Sequence, residues 1–516
     1  MAFDLLNTHA GDLPAFHADG HTATRAQLKI SAQRAAAFLH QLGLRRGDTI
    51  AVWMPDGAVW LQLLFGAAQL GVLMVPVSTR LKLSEAQHVV ATSRARVLVV
   101  PTTFLDFDYL GASLAIQASE PTLEHVIDMP ADAGFQWGDY APHPEIAGQD
   151  SDPLCTFSTS GTTGKPKLAV HTQSGIATHA RNAGRVNDIH PGDAMLCALP
   201  LYGVLGFVKA FATLAAGGAC VFLPVFKADA AAAAIEKYRI THFFGSDGML
   251  DMVLNAKSSS LATWRRGSFA EFAGLGRKVI ERAWNDLGLR LSGLYGMSEC
   301  FAMTAIRDPN AEAEVRGMPG GTPISPGIHF RIADPVSDSP VAEGAQGELQ
   351  LRGYNVMTGY LNNPTATAEA FTADGWFKTG DLAYADGNSF CYLARLKDSL
   401  RLKGYLVDPT EVEDFLARHP AVDAAQVVGV YQEGEGDVAV AFIRASEQPA
   451  AESELLAYCK AGIAGYKVPR RIVVVDDFPQ MSGPNGIKIL KNVLRDMATE
   501  HLKTINSLST LSKASA

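Results

Sequence analysis

The segment STSGTTGKPK, Ser158 to Lys167, combines glycines, hydroxyl side chains and two lysines. Such a segment can bind phosphates through exposed backbone N–H groups, hydroxyls and positive charges. It is not a Walker loop, because Thr159 replaces the first glycine and Pro166 follows Lys165 where a metal-binding hydroxyl is required. We therefore expect a phosphate-binding loop of another type. A solvated Gly/Ser/Thr turn is the alternative.

Short apolar runs, LCTF (154–157) and LAV (168–170), flank this segment and predict two strands joined by the loop. Helix-like and strand-like patterns alternate on both sides of it. Three segments, residues 24–55, 231–244 and 278–299, each contain apolar residues at helical spacing followed by a strand-like run. Another strand is predicted at residues 72–78. This alternation is typical of an α/β fold with doubly wound parallel sheets.

The pattern changes from Pro319 to Tyr392, where short runs are separated by Gly, Pro, Asn and Asp. Short runs separated by turn-forming residues predict antiparallel strands and turns, and hence a β-rich subdomain. A piece of about 120 residues, small enough to be a domain, follows and mixes short helices with strands. We predict a large N-terminal domain over residues 1–396 and a small α+β C-terminal domain over residues 397–516.

Composition excludes several classes of protein. The net charge of −9 provides no basic field for nucleic acid. The cysteines are far apart and form no CxxC pair, which argues against a disulfide framework or a zinc site. The N-terminus has no basic start before an apolar run, and Lys209 and glycines interrupt the apolar region 202–226. We expect a cytoplasmic protein without a secretory signal or transmembrane segment.

Motifs along nearly the whole chain resemble those of the adenylate-forming superfamily, which includes acyl-CoA synthetases, adenylation domains and luciferases. The motifs occur in the family's order: TSGTTGKPK (159–167), YGMSE (295–299), TGD (379–381), RLKDSLRLKGYLVDPTEVE (395–413) and GIKILK (486–491). The resemblance implies that a carboxylate attacks the α-phosphate of ATP, pyrophosphate leaves, and a thiol then attacks the acyl-adenylate. It also implies ATP, Mg²⁺ and coenzyme A as cofactors.

The resemblance assigns nucleotide contacts residue by residue. The phosphate-binding residues are Thr159, Ser160, Gly161, Thr162, Thr163, Gly164, Lys165 and Lys167. The AMP-binding residues are Gly274, Leu275, Gly276, Tyr295, Gly296, Met297, Asp381 and Arg395. Ser298 is implied to contact the α-phosphate, and Glu299 and Thr162 to hold Mg²⁺. The adenine segment departs from the family pattern, because FAGLGRKV stands where GGAPL is usual.

The second half-reaction is implied to use residues after the β-rich segment. Lys397 matches the hinge about which the small, mobile C-terminal domain rotates, and Gly404 and Tyr405 match the loop that receives coenzyme A. The catalytic lysine is predicted as Lys488, although SGPNGIKILK inserts Ile487 between the usual Gly-Lys pair. Lys491 is the alternative. With Ser298 and Glu299, Lys488 completes the predicted catalytic set.

The acyl pocket is implied by LPLYGVLGFVKAF (199–211), from which Tyr202, Gly203 and Phe207 are predicted to line it. The resemblance also implies that an α-amino acid is disfavoured as substrate, because amino-acid-activating relatives typically have an Asp near the start of this segment and this chain has none. In the later segment THFFGSDGMLDMVL (241–254), Asp247 lies with Ser246 and Gly248 at a predicted turn. It either faces the pocket, where it would favour a hydroxyl or amine on the acid, or is a solvated turn residue.

These features predict an acid–thiol ligase that converts an apolar aliphatic or aromatic monocarboxylic acid to its acyl-CoA. Its partners would be that small acid, ATP and coenzyme A, with no nucleic acid, and it would be a monomer or homodimer. Two alternatives stay open at this point. The chain could load an acyl group onto a carrier protein, or it could be a nonenzymatic nucleotide or acyl sensor.

Overall fold

The structure is a computed structural model. It describes residues 1–18, 20–131, 135–138, 140–143, 145–159, 166–256, 260–271, 275–396, 400–402, 405–407, 409–432, 436–446, 448–463, 465–483 and 486–514. By packing, the chain divides into two compact units. The first contains Met1–Phe330 and Leu351–Phe377, and the second contains Arg331–Gln350, Lys378–Gly483 and Ile487–Ala516.

After a short 3₁₀ helix at Phe3–Asn7, the α-helices of the described chain follow in order. They are α1 (Arg25–Gln41), α2 (Ala58–Leu70), α3 (Leu83–Ser93), α4 (Tyr109–Ser119), α5 (Gln173–Val186), α6 (Val204–Ala215), α7 (Ala228–Lys237), α8 (Asp247–Leu254), α9 (Gly276–Leu287), α10 (Ala313–Gly317), α11 (Pro364–Ala370), α12 (Pro409–Ala417), α13 (Glu452–Gly462) and α14 (Lys491–Ala514).

The strands are short, as expected from the brief apolar runs of the sequence. The first eighteen are β1 (Pro14–Ala18), β2 (His21–Thr24), β3 (Thr49–Val52), β4 (Leu73–Pro76), β5 (Val97–Val100), β6 (Thr103–Phe104), β7 (Phe107–Asp108), β8 (His125–Asp128), β9 (Pro153–Thr159), β10 (Lys167–Thr172), β11 (Ala194–Cys197), β12 (Ala219–Phe222), β13 (His242–Phe243), β14 (Gly245–Ser246), β15 (Arg266–Ala270), β16 (Arg290–Met297), β17 (Phe301–Ile306) and β18 (Gly320–Pro323). The remainder are β19 (Ile328–Ala333), β20 (Gln346–Gly353), β21 (Gly359–Tyr360), β22 (Phe377–Asp386), β23 (Ser389–Arg395), β24 (Leu400–Leu402), β25 (Tyr405–Val407), β26 (Val422–Gln432), β27 (Gly436–Ala445), β28 (Arg471–Val474), β29 (Gln480–Gly483) and β30 (Gly486–Ile489).

Local sequence signals explain where several helices begin and end. Thr24 caps α1 in a capping box: its hydroxyl accepts from the N–H of Gln27, whose side chain accepts from the N–H of Thr24. Gly71 ends α2 in the left-handed conformation at φ 73°, which glycine adopts without steric cost. The structure confirms the predicted alternation of helices and strands at residues 24–78. The helix ends in this region are determined by these local signals.

The first unit contains two mainly parallel sheets. One has the strand order β21-β10-β9-β4-β3-β5-β8, in which β8, β5, β3, β4 and β9 run parallel. The other has the order β18-β17-β16-β15-β13-β11-β12-β1-β2, with parallel strands from β16 to β1. All residues of α2 and α6 are buried, as helices with apolar residues on every side must be. The doubly wound α/β prediction is confirmed.

The second unit contains two pieces of the β-rich segment, residues 331–350 and 378–392, together with the C-terminal part. Strands β19, β20, β22 and β23 are neighbours in that order, and β22 and β23 form an antiparallel hairpin. Its turn contains Gly387 at φ 58°, as a tight two-residue hairpin requires. The C-terminal sheet has the order β25-β24-β27-β26, with β28 beside β27. Lys397 lies outside the described residues, so the 396/397 boundary and the hinge stay predictions.

Candidate active site

The carboxyl ends of β11, β13, β15 and β16 lie at one edge of their sheet, because these strands are parallel. Ligands in open α/β sheets bind at this edge. Predicted site residues follow three of these strands: Tyr202 comes after β11, Asp247 after β13, and Leu275 after β15. The fourth strand, β16, carries Tyr295 itself. The fold therefore gathers the predicted nucleotide and acyl segments at a common edge.

The phosphate segment joins two antiparallel strands, as predicted. Thr159 at the end of β9 pairs with Lys167 at the start of β10. Residues 160–165, which include the predicted contacts Ser160, Gly161, Thr162, Thr163, Gly164 and Lys165, lie outside the described residues. The hydroxyl of Thr159 is buried and has no hydrogen-bond partner within the described chain. A buried hydroxyl of this kind fits a phosphate oxygen, which would satisfy its donor.

Ser298 connects the YGMSE segment to the phosphate hairpin. Its hydroxyl donates to the carbonyl of Ser158 at 3.1 Å, and its own carbonyl accepts from Nε2–H of His171 at 2.7 Å. Burial, more than any other cause, lowers the pKa of His171 to about 4, so the imidazole is neutral at physiological pH. His171 was missed by the sequence analysis, because a lone histidine in a strand has no local signature of this contact.

The residues before Ser298 form the tightly packed end of β16. Tyr295 is buried and pairs with Ala305, while Gly296 is exposed. A Cβ atom at Gly296 would lie 2.2 Å from the carbonyl oxygen of Phe301. Glycine is therefore required here by close backbone approach. The end of β16 thus presents Gly296 and Met297, and the turn after it presents Ser298. These positions suit their predicted contacts with AMP and the α-phosphate.

Glu299 is 7% exposed and is held by Tyr360, whose hydroxyl donates to its Oε1 at 2.9 Å. The ring of Tyr360 also lies 4.2 Å from Nζ of Lys167. One tyrosine thus contacts both the predicted metal-binding carboxylate and a predicted phosphate-binding lysine. The sequence analysis did not select Tyr360, since its partners lie about 60 and 190 residues away in the chain and no local pattern links them.

The residues present fit a magnesium ion that is also held by substrate phosphates. Mg²⁺ prefers oxygen ligands and is usually bound by one or two carboxylates together with phosphates and water. Glu299 offers such a carboxylate, buried beside the phosphate hairpin. Within the described residues no group of three His, Cys, Asp or Glu side chains could hold a metal by itself. The donor set therefore suits a metal that arrives with a nucleotide.

The environment of Asp247 excludes one of its two sequence-based interpretations, and the other, that Asp247 faces the acyl pocket, stays a prediction. It is fully buried, which contradicts the solvated-turn alternative, and its Oδ2 accepts from the N–H of Leu275 at 2.9 Å. The next residue, Gly276, donates its N–H to Oε1 of Glu271 at 3.1 Å. Two carboxylates thus hold the start of α9, where the predicted adenine segment lies. Gly274 of that segment lies outside the described residues.

The other predicted pocket residues lie at the start of α6. Tyr202 is half-buried, and Gly203 and Phe207 are buried. The ring centroid of Phe207 lies 5.1 Å from that of Phe157 and 4.1 Å from that of Phe211. The side of α6 that carries Phe207 is therefore packed with aromatic rings.

On the second unit, the predicted ribose-binding pair is assembled. Asp381 on β22 is directly opposite Arg395 on β23, and their side chains form an ion pair at 3.0 Å. Arg395 also donates to the carbonyl of Thr379 at 3.1 Å. The backbone of β22 next to Asp381 is held by Glu348, which accepts from the N–H of Gly380 at 3.0 Å. A buried carboxylate with a fixed backbone suits bidentate binding of a sugar's hydroxyl groups.

The residues predicted for the second half-reaction are only partly described. Lys397 and Gly404 lie outside the described residues, while Tyr405 lies in β25 and Lys488 in β30. Lys491, the alternative catalytic lysine, forms an ion pair with Glu413 at 2.8 Å, and Glu413 also accepts from the N–H of Val427. This structural role for Lys491 favours Lys488 as the catalytic candidate.

Comparisons with known proteins agree with this geometry. Residues 5–361 match the AMP-binding enzyme family, and residues 411–483 match the AMP-binding enzyme C-terminal domain. The chain is 32% identical to a mitochondrial medium-chain acyl-CoA ligase, ACSF2, of Danio rerio, covering 94% of this chain and 86% of the relative. It is also 32% identical to a feruloyl-CoA synthase of an Amycolatopsis species, covering 92% and 94%.

Among solved structures, ATP-bound MatB from Rhodopseudomonas palustris superimposes with a TM-score of 0.84 at 25% identity, covering 96% of this chain and 98% of MatB. The resemblance thus extends over both the large N-terminal part and the smaller C-terminal part. No helix in the described part of the chain is long and apolar enough to cross a membrane.

Proposed function

Because the chain belongs to the AMP-binding enzyme family, we propose that its described site residues catalyse the two steps of an AMP-forming acyl-CoA synthetase. The enzyme ligates an aliphatic or aromatic acid to coenzyme A with ATP. A carboxylate oxygen attacks the α-phosphorus and pyrophosphate leaves. The sulfur of coenzyme A then attacks the acyl carbon, losing its proton, and AMP leaves.

The contact of Ser298 with both strands of the phosphate hairpin carries this proposal. Its hydroxyl is bonded to Ser158 and its carbonyl to His171, so the YGMSE segment is held against both strands of the phosphate hairpin. Phosphoryl transfer depends mainly on positioned donors and charges, and preorganised donors cost no rearrangement during reaction. Lys167, Thr159 and the backbone of the loop supply the phosphate contacts, and bound Mg²⁺ neutralises part of the phosphate charge.

The remaining roles follow from the assembled groups and the motif resemblance. Tyr295 contacts adenine from its buried position in β16, Asp381 and Arg395 bind the ribose, and Glu299 is a metal ligand. Lys488 stabilises the carboxylate and α-phosphate oxygens during adenylation. Rotation about Lys397 then brings Gly404 and Tyr405 into use for thioester formation. The C-terminal mobile domain in this proposal comprises residues 397–516.

Coenzyme A is the acceptor favoured over a carrier protein, since the similar enzymes named above are a CoA ligase and a CoA synthase. We further propose a cytoplasmic enzyme that acts as a monomer or homodimer on small molecules and binds no nucleic acid. The net charge of −9 supports the last point.

The test measures the two half-reactions of Lys488→Ala separately. We expect pyrophosphate release from ATP and acid to fall by roughly 10²- to 10³-fold, as for loss of one good transition-state donor. Thioester formation from supplied acyl-adenylate and coenzyme A should stay within about threefold of wild type, a change of less than 1 kcal/mol in barrier.

The matched control is Lys503→Ala, which removes an exposed lysine of α14 and should leave both rates unchanged. Undiminished pyrophosphate release by Lys488→Ala would refute the assignment of Lys488. Pyrophosphate release by wild type that coenzyme A does not accelerate would instead favour a carrier protein, and ATP binding without turnover of any acid would favour a sensor.

A further inference from the structure

A fully buried lysine in α6 has no role in the chemistry described above. Lys209 is 0% exposed, and its Nζ donates to the carbonyl of Phe244 at 3.4 Å. The ring centroid of Phe243 lies 5.9 Å from the same nitrogen. An ammonium has three donors, and this long bond uses only one of them. No carboxylate of the described chain lies within 4.0 Å of Nζ.

Buried lysines are rare because removing the ammonium from water is costly. Burial lowers the pKa of Lys209 to about 8, although the carboxylate of Asp56 partly opposes that effect. Asp56 is 9% exposed and its Oδ1 accepts from the N–H of Leu201 at 2.8 Å. Burial raises its pKa to about 7. The two groups influence each other electrostatically without forming an ion pair.

The position of Lys209 places its nitrogen at the edge where the site lies. Phe244, whose carbonyl it contacts, directly follows β13, at the same sheet edge as the ends of β11, β15 and β16. Asp56 follows β3 of the other sheet and contacts Leu201, which precedes Tyr202. The carboxyl ends of strands from both sheets therefore converge around Lys209, beside the segment predicted to line the acyl pocket.

We propose that Lys209 binds a neutral oxygen, a hydroxyl or a ketone, at the end of the acid remote from the reacting carboxylate. The substrate would then be a monocarboxylic acid with an apolar body and a distal oxygen. Such an oxygen accepts a hydrogen bond that the buried nitrogen otherwise lacks. A second carboxylate is disfavoured because removing its charge from water is costly and Lys209 already interacts electrostatically with Asp56. This inference rests on the proposed function, since it names the substrate class of that site.

The test compares matched acids that differ only in the distal group: hexanoate, 6-hydroxyhexanoate, 5-oxohexanoate and adipate, and 3-phenylpropanoate with its 4-hydroxy derivative. We expect wild type to prefer 6-hydroxyhexanoate or 5-oxohexanoate to hexanoate and adipate, and the 4-hydroxy derivative to 3-phenylpropanoate. The preference should be at least about tenfold in kcat/KM, because a site built to bond an oxygen rejects the analogue that lacks it. Lys209→Met, which keeps length but removes the donors, should abolish this preference without changing the KM for ATP.

Two further variants separate recognition from packing. Lys209→Gln keeps an N–H donor and should retain part of the preference. Lys227→Met, on an exposed lysine that precedes α7, should retain all of it. Equal loss of rate with every acid in Lys209→Met would overturn the inference and leave only a structural role. If neither Lys209 variant folds, the acid preference of wild type decides by itself. A preference for the hydroxy or keto acid below about threefold in kcat/KM would overturn the inference, because such a site should give at least about tenfold.

Failure of the proposed function gives a different result. If wild type releases no pyrophosphate with any acid, isothermal titration of the same acids in the presence of AMP still tests the inference directly. Tighter binding of the hydroxy or keto acid that disappears in Lys209→Met supports it. Equal binding of all the acids by wild type, or a preference that Lys209→Met leaves intact, contradicts it.

Discussion

Tyr360 donates its hydroxyl to Glu299 at 2.9 Å while its ring lies 4.2 Å from Nζ of Lys167. A single side chain therefore fixes the positions of the proposed metal ligand and of a proposed phosphate-binding cation. Both partners come from motifs that the sequence identified, but the residue joining them comes from β21. Tyr360 is a positioning residue in this account.

Tyr360→Phe should weaken magnesium binding while preserving the ring beneath Lys167. A hydrogen bond to a charged group contributes about 1.5–3 kcal/mol, so the Mg²⁺ concentration for half-maximal pyrophosphate release should rise by roughly tenfold. Titration of Mg²⁺ at saturating ATP measures this. Tyr431→Phe, on a tyrosine that is 70% exposed, is the control. An unchanged magnesium requirement in Tyr360→Phe would exclude a positioning role for its hydroxyl.

Asp381→Asn should raise the KM for ATP by at least about tenfold, since it removes the charge that pairs with Arg395 and is proposed to accept the ribose hydroxyls. The KM for the acid should change little. Asp386→Asn, at the exposed turn of the same hairpin, is a matched control that should resemble wild type. Steady-state kinetics with each substrate varied in turn tests the assignment, and equal changes in both KM values would argue for general damage to the β22–β23 hairpin.

Asp247→Ala should impair nucleotide binding and leave acid preference unchanged. Its carboxylate accepts from the N–H of Leu275, and removing it leaves that partly buried donor without its protein partner at a cost of up to about 3 kcal/mol. Asp247→Asn keeps an acceptor oxygen and should lose less. Relative kcat/KM values over a panel of acids provide the measurement. A reordered acid preference in Asp247→Ala would restore the hypothesis that this residue faces the acyl pocket.

Acidification should destabilise the protein through its buried histidines. Burial lowers the pKa values of His171 and His179 from 6.5 to about 4. The unfolded chain therefore binds protons below pH 6.5 that the folded chain does not, so stability is retained above pH 6.5 and lost as the pH falls toward 4. Each histidine contributes a slope of at most about 1.4 kcal/mol per pH unit.

Replacing one of these histidines should reduce that slope. His171→Asn should lose less stability than wild type between pH 6.5 and 5, measured by urea unfolding of the ligand-free protein. His125→Asn, on an exposed histidine of β8, should follow the wild-type profile. Parallel profiles for wild type and His171→Asn would show that His171 is not buried in its neutral form.

Local features of the fold were accessible from the sequence. The capped helix α1, the runs that became β3 and β4, and the hairpin around the phosphate segment all depend on neighbours within about 20 residues, where periodicity and capping act. Asp381 and Arg395 are also close in the sequence, and the β22–β23 hairpin places them opposite each other. The motifs of the candidate site could be named because each is a short stretch of sequence that resembles a motif of a known family.

Contacts between distant segments could not be inferred. His171 reaches Ser298 and Tyr360 reaches Glu299 only because β10, β16 and β21 adopt their places in the fold. Asp247, set between Ser246 and Gly248, is compatible with an exposed turn as much as with the buried first residue of α8. Lys209 interrupts an apolar run in the sequence, and only the fold shows what surrounds its nitrogen.

The central claim is that the acid's own oxygen becomes bonded to the α-phosphorus of ATP. Turnover of an acid with both carboxylate oxygens labelled as ¹⁸O, followed by mass spectrometry of the nucleotide product, tests it most directly. The account predicts AMP that carries one ¹⁸O per acyl-CoA formed, with unlabelled pyrophosphate. Unlabelled AMP, or ADP with labelled inorganic phosphate, would contradict it.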